Sequence, residues 1–400
     1  MKHFLSLVYV AALALMLSTG ASAREITVDG MVLKTNRTAK IATFTKLAKP
    51  SDSKWKNQVT IPATVTDGDV KCSVTKIDAG ALYEHTTKAV SIPSTVTEIG
   101  SYAFYKTEFT EITLPSGLKT LGEGVFKDSK LQKVTIPASV TSIGDYAFSS
   151  PNFIKIAFKA RTANLTIGMG VFWHAGITSL TLPSTLTTVP NSAFGGKPEL
   201  TTVNFSRGLV SIEEGGFGNT GIKSLNLPAS LKTIGNIAFT LVKITELTLP
   251  GNVTTIGAKA FYDCPNLAKV NLPVSVTSIG AQAFDECREI KFVASANPNP
   301  PVLGTDCFYW STYQNADLLL SSDAAIERYK VANEWKRFSW LANAGIGDVE
   351  ADAEVEPELP CTVYNLNGSF VTTCKADELD RLPSGVYIVR QGEKVSKICR

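Results

Sequence analysis

Charge, histidine and long apolar runs are all scarce in this 400-residue sequence. Charged residues make up 19%, below the roughly 25% of an ordinary globular chain. Lysine and arginine (39) barely outnumber aspartate and glutamate (36), so no strong positive field marks nucleic acid as a partner. Of three histidines, His3 falls in a segment expected to be removed, and His85 and His174 are too few for a multi-histidine metal centre. C-x-x-C, H-E-x-x-H, G-x-S-x-G and P-loop motifs are absent, so neither a metal, nor a cofactor, nor an enzymatic activity is expected. After residue 23 no apolar stretch reaches the roughly 20 residues of a spanning helix, which argues against an integral membrane protein. The hydrophobic share, 44%, is nevertheless that of a folded chain.

Residues 1–23, MKHFLSLVYVAALALMLSTGASA, read as a signal peptide. Lys2 supplies the positive start, Phe4 to Leu17 the apolar stretch, and Ala21-Ser22-Ala23 the small-x-small rule, with cleavage between Ala23 and Arg24. No cysteine follows that bond, which argues against a lipid anchor there. The mature chain is expected to leave the cytoplasm, cross the periplasm and reach the cell surface or medium.

Internal periodicity dominates the remainder. An Ile-Pro or Leu-Pro pair recurs at Pro93, Pro115, Pro137, Pro183, Pro228, Pro250 and Pro273, in steps of 22 or 23 or of two such repeats. Phe104, Phe126, Phe148, Phe172, Phe194, Phe217, Phe239, Phe261, Phe284 and Phe308 keep the same beat, with Leu82 in the first slot. A third column places Ile-Gly or Leu-Gly at Gly100, Gly122, Gly144, Gly235, Gly257 and Gly280. In Glu111-Ile112-Thr113-Leu114-Pro115 polar and apolar residues alternate as in a half-buried strand, and proline then stops the ladder. The Ile-Gly pair turns back to the core and the phenylalanine fills it. One such coil cannot bury its apolar side chains, whereas stacked coils can. The fold expected is a β-rich solenoid of about eleven coils of 22–23 residues, over 60–310.

The pattern L-x-x-V-x-I-P-x-S-V-T-S-I-G-x-Y-A-F-x-x-C, read at Leu131 to Phe148 and at Leu267 to Cys287, resembles the BspA-like, or Treponema-type, leucine-rich repeat family. The asparagine ladder of ordinary leucine-rich repeats has no counterpart here, so their horseshoe curvature does not carry over. The resemblance implies a secreted or surface-displayed, adhesin-like binding protein, recognising host or neighbouring-cell protein through its extended repeat face.

Outside the array, 24–59 is expected to cap its start. Residues 311–346 are expected to cap its end, with Ser322 starting a helix that carries Ile326 and Tyr329, followed by Trp335, Phe338 and Trp340. Residues 347–360 form an acidic linker, with six carboxylates and no base over 348–358. Residues 361–400 read as a small β module. Through Gly368 to Val371, Gly385 to Tyr387 and Lys397 the module resembles a type IX secretion sorting domain. That resemblance implies contact with secretion machinery and then removal or surface attachment.

Cys264 and Cys287 occupy one repeat position, three after the phenylalanine, one coil apart. They form either a disulfide or a column of buried thiols. Cys361 and Cys374 are a second pair within the tail. Gly216 to Gly221 matches G-x-G-x-x-G, but it encloses the core residue Phe217 and precedes an expected strand, Lys223 to Leu227, so it is a turn and not a nucleotide loop.

Two regular surfaces are candidates for binding. The outward strand positions Thr113, Thr135, Thr181, Asn204 and Asn226 make a flat, uncharged, hydrogen-bonding face. The residues following the core phenylalanine include Tyr83, Tyr105, Trp173 and Tyr262, an aromatic column suited to a glycan. An extracellular protein or glycan is therefore the expected ligand, and a structural spacer is the alternative role.

Overall fold

A 22-residue coil needs a neighbour on each side to cover its apolar side chains, and the fold provides them by stacking. The computed structural model describes residues 23–339, 360–365, 370–382, 386–391 and 394–399. Residues 1–22 of the expected signal peptide, Trp340, residues 347–359 of the expected acidic linker, and the expected turns at Asn367-Gly368, Ser384-Gly385 and Gly392-Glu393 lie outside them. The chain is a β-solenoid of about 11 coils. It divides into two compact units, Met1–Asn152 and Phe153–Arg400.

In the first unit, strands Arg24–Val28, Met31–Asn36 and Ile41–Leu47 pair antiparallel in that order. Ile41–Leu47 then lies parallel to Val70–Ile77, and Glu98–Ile99, Thr120–Leu121 and Ser142–Ile143 follow in parallel. The antiparallel strands thus cover what would otherwise be an open edge of the ladder. Arg24, on the mature side of the expected cleavage bond, is anchored by an ion pair of 3.0 Å to buried Asp67, which also accepts from Thr35 Oγ1 at 2.6 Å. Leu82, Phe104, Phe126 and Phe148 are fully buried, and successive phenylalanine rings stack at 5.4 and 5.5 Å.

In the second unit the column continues through Phe172, Phe194, Phe217, Phe239, Phe261, Phe284 and Phe308, with ring centroids 5.2–5.7 Å apart and planes within 18°. The Ile-Gly strands form one parallel six-stranded sheet in exact sequence of coils, from Thr188–Val189 to Val302–Leu303. Glycine follows four of these six strands, as Gly235, Gly257, Gly280 and Gly304, where adjacent coils touch through backbone. A Cβ on Gly280 would lie 2.3 Å from the Ala258 nitrogen. Most turns around the phenylalanine also carry two left-handed residues, such as Lys259 (φ 54°) and Asp263 (φ 51°) in one coil. That geometry turns the phenylalanine N–H toward the next coil, as in Phe261 N to Ala283 O at 2.8 Å.

The stack ends as its aromatics suggest. Ser322 caps helix Asp323–Val331 by accepting from Ala325 N, and Ile326 and Tyr329 are buried. Trp335 and Phe338 pack on Phe308 at 6.1 and 5.4 Å, and Trp335 donates to Pro301 O at 2.8 Å. Burial raises the Tyr329 hydroxyl to about 12. In the tail, strands Phe370–Lys375, Pro360–Asn365, Val386–Gln391 and Lys394–Cys399 form an antiparallel sheet in that order. Cys361, Val363, Leu379 and Val389 make its own small core.

Two expectations need correction, and of the two alternatives for Cys264 and Cys287 the structure has the buried thiols. The strand expected at Lys223 to Leu227 does not form: pairing occurs instead at the Lys197–Thr220 bridge, and Gly221 is pressed so closely against Pro198 that a Cβ would lie 2.1 Å from its carbonyl oxygen. The strand expected at Glu111 to Pro115 contracts to one bridge, Glu111–Lys133, although Leu114 stays buried and Thr113 exposed. Cys264 and Cys287 are free thiols rather than a disulfide. Their sulfurs point the same way along the stack, Cys264 to Phe239 O at 3.4 Å and Cys287 to Phe261 O at 3.0 Å, and Cys287 Sγ also accepts from Cys264 N at 3.4 Å.

Candidate functional site

A regular parallel ladder is flat, so a cavity on its face marks a place where the ladder fails. Among the described residues one such groove lies in the first unit and another in the second, each on that unit's Ile-Pro strand face. In the first unit a groove of about 410 Å³ is lined by Val90, Ser91, Glu111, Ile112, Thr113 and Pro115, where the ladder has contracted to the Glu111 bridge. Its carboxylate is neutralised by Lys133 at 2.6 Å.

The second unit's groove is larger, about 550 Å³. It opens between strands Lys155–Phe158 and Ser179–Thr181, which no hydrogen-bond ladder joins. The coil at 154–161 lacks the Ile-Pro end, and Phe158-Lys159-Ala160-Arg161 stands in its place. Lys155, Lys159 and Arg161 line the groove, with Ser179, Thr181, Ser184 and Asn204 opposite, and none of the lining residues is acidic. Lys155 and Lys159 are exposed and form no ion pair among the described residues. Arg161 is only 9% exposed, stands over the Phe158 ring at 5.6 Å, and has its guanidinium pushed below the usual range by burial. Asn204 Nδ2 donates to Thr181 Oγ1 at 3.1 Å, leaving the amide oxygen of Asn204 outward.

The structure therefore brings Thr181 and Asn204 into one groove and Thr113 into the other. Thr135 and Asn226 are exposed but line neither groove, and Asn226 lies outside any ladder. Sequence reasoning missed Lys155, Lys159 and Arg161. The signal was the vacant proline slot between Pro137 and Pro183.

Among the aromatics, Tyr83 and Tyr105 stack at 4.6 Å, and Tyr102 meets Tyr105 edge-on at 5.9 Å. Lys106 lies 5.1 Å from the Tyr105 ring and pairs with Glu84 at 3.1 Å. The hydrogen bond to Glu123 raises Tyr102 to about 12. Trp173 is exposed and packs on His174, and Tyr262 is half-buried beside Lys259. Three coils lie between these two, with Gly195, Gly218 and Thr240 in the intervening positions, so the column is not continuous.

The position three after the core phenylalanine lies inside the stack. Thr107, Ser129 and Thr220 each close the turn by donating to the phenylalanine carbonyl at 2.7–2.9 Å. Lys197 occupies the same column, fully buried, and donates to Gly195 O at 3.0 Å. Burial lowers its amine to about 8, against the opposing pull of Glu199. Among the described residues no group of three or more His, Cys, Asp or Glu is placed to hold a metal ion. No described helix is long and apolar enough to cross a membrane.

Comparison with protein families matches a BspA type leucine rich repeat region, in six copies, over residues 75–197 and 165–291. Among solved structures, a leucine-rich repeat protein from Bacteroides ovatus shares 20% identity over 74% of this chain and 79% of its own, with a TM-score of 0.51. A leucine rich cell surface protein from Faecalibacterium prausnitzii shares 23% identity over 69% of this chain and 96% of its own, at a TM-score of 0.31. The pneumococcal vaccine antigen PcpA shares 18% over 77% and 96%, at 0.40. The first of these shows a shared fold. No curated protein matches the sequence.

Proposed function

The chain belongs to the BspA-type leucine-rich repeat family, and on that premise we propose that it is an exported, surface-displayed, adhesin-like protein without enzymatic activity. It holds an extracellular partner, a host or neighbouring-cell protein, against its strand face. The observation that carries this reading is that in each unit a groove opens on the strand face where the ladder is interrupted, lined by residues of the outward Thr/Asn column. A regular face offers repeated weak contacts, and a groove within it offers an anchor that excludes water. Residues 1–23 supply the export step, and the 361–400 module supplies contact with the secretion machinery.

The stacked pair Tyr83–Tyr105 favours a second reading, glycan binding at that patch, because an exposed aromatic face with a neighbouring cation suits a sugar ring. The test is a matrix-protein panel beside a glycan array, using intact protein and two variants. Thr181→Arg with Asn204→Arg blocks the groove, and Tyr83→Ala with Tyr105→Ala removes the stack. Loss of protein capture in the first variant alone supports the strand face. Loss of sugar binding in the second alone supports the tyrosine patch. Blank panels with folded protein reject both. Cell fractionation with C-terminal mass spectrometry tests export, and protein retained in the periplasm with Arg400 intact counts against the sorting role.

A further inference from the structure

The groove between Lys155–Phe158 and Ser179–Thr181 has a chemistry that the rest of the strand face lacks. Three cations and five hydroxyl or amide side chains surround about 550 Å³, within the roughly 300–1,000 Å³ of small-ligand sites, and no acidic residue lines it. We infer that this groove binds a carboxylate-bearing oligosaccharide, an oligouronate in chemical class. The inference rests on the reading of the strand face as a binding surface and names the ligand for one part of it.

Arg161 is held against the Phe158 ring and only 9% exposed, so its positive charge is fixed in the groove wall before a ligand arrives. Lys155 and Lys159 add exposed charge at the rim. Ser179, Thr181, Ser184 and Asn204 both donate and accept, which is what sugar hydroxyls require. Ile154, 54% exposed, and Phe158 give the apolar contact for the C–H side of a ring.

An acidic peptide is the competing ligand, and the spacing argues against it. A peptide that joined the split sheet as a strand would need the flanking strands two ladder spacings apart, about 9.6 Å. Cα atoms of Lys155–Phe158 and Ser179–Thr181 lie within 8 Å of each other. The gap is too narrow for a backbone and wide enough for side chains to clasp a ligand lying across it.

The test is calorimetric titration of the full chain with tetragalacturonate, neutral maltotetraose and a hexaglutamate peptide, at low and high salt. Tetragalacturonate should bind and weaken as salt screens the cations, and maltotetraose should not bind. Lys155→Glu with Lys159→Glu should weaken tetragalacturonate at least about tenfold, with the same melting temperature as the parent. The charge-matched control Lys232→Glu with Lys243→Glu, both exposed and outside the groove, should leave it unchanged. Equal binding of maltotetraose, tighter binding of hexaglutamate, or indifference to the double reversal overturns the inference. If tetragalacturonate fails while a matrix protein still binds and is lost in Thr181→Arg with Asn204→Arg, the ligand class is wrong and the strand-face reading stands. If nothing binds, both fall.

Discussion

Lys197 is a charge in a column built for small uncharged groups, and removing that charge should make the protein more stable. Its ammonium has one hydrogen-bond acceptor in the structure, Gly195 O at 3.0 Å, and no exposed surface. Burial lowers the amine from 10.5 to about 8, an interval worth about 3 kcal/mol. Because the folded value is the lower one, the unfolded chain binds more protons between about 8 and 10.5. The destabilisation is therefore complete below about pH 8 and is relieved as the pH climbs toward 10.5. Lys197→Met keeps the straight side chain, removes the charge and gives up one hydrogen bond worth about 1 kcal/mol. A net gain of about 2 kcal/mol is expected at pH 7, with little or none at pH 10.5. Urea unfolding followed by circular dichroism, parent against variant at both pH values, measures it. The difference between the two proteins isolates Lys197 from the tyrosines that titrate in the same range. An unchanged midpoint at pH 7, or a gain equally large at pH 10.5, refutes the reasoning. Lys197→Thr, which copies Thr220, should show the same trend with a smaller gain because it leaves a void.

Phe239→Ala should cost about 3–5 kcal/mol, because the ring is fully buried between two stacked neighbours. Tyr83→Ala, at a half-exposed stack, should cost no more than about 1.5 kcal/mol in the same urea assay. Leu241 is held at φ 62° with 41% of its surface exposed, so Leu241→Asn should gain up to about 1 kcal/mol, read as a higher melting temperature. Cys361 and Cys374 face each other in the antiparallel register. Mild oxidation of the native protein by a disulfide donor should link them, seen as a cross-linked peptide in mass spectrometry, while Cys264 and Cys287 remain as thiols until unfolding. A native Cys264–Cys287 link would contradict the sulfur directions described above.

The coil and its stacking were legible in the sequence alone, because a repeat presents the same physical problem in every copy. The Phe104, Phe126 and Phe148 column, the glycines where backbones touch, and the aromatic closure at Trp335 and Phe338 each answer a requirement that one coil states and its neighbours restate. The closeness of Tyr83 and Tyr105 followed from the same arithmetic. The grooves did not follow, because a groove is a departure from the repeat. Only the positions of neighbouring coils decide whether the missing proline near Arg161 leaves a continuous ladder or a split one. The same holds for the direction of the Cys264 and Cys287 sulfurs and for the burial of Lys197, whose side chain reads from sequence as solvated. Periodicity sums many equal local preferences and so survives in one dimension. A site depends on a few distances across the stack, and those exist only after the coils have packed.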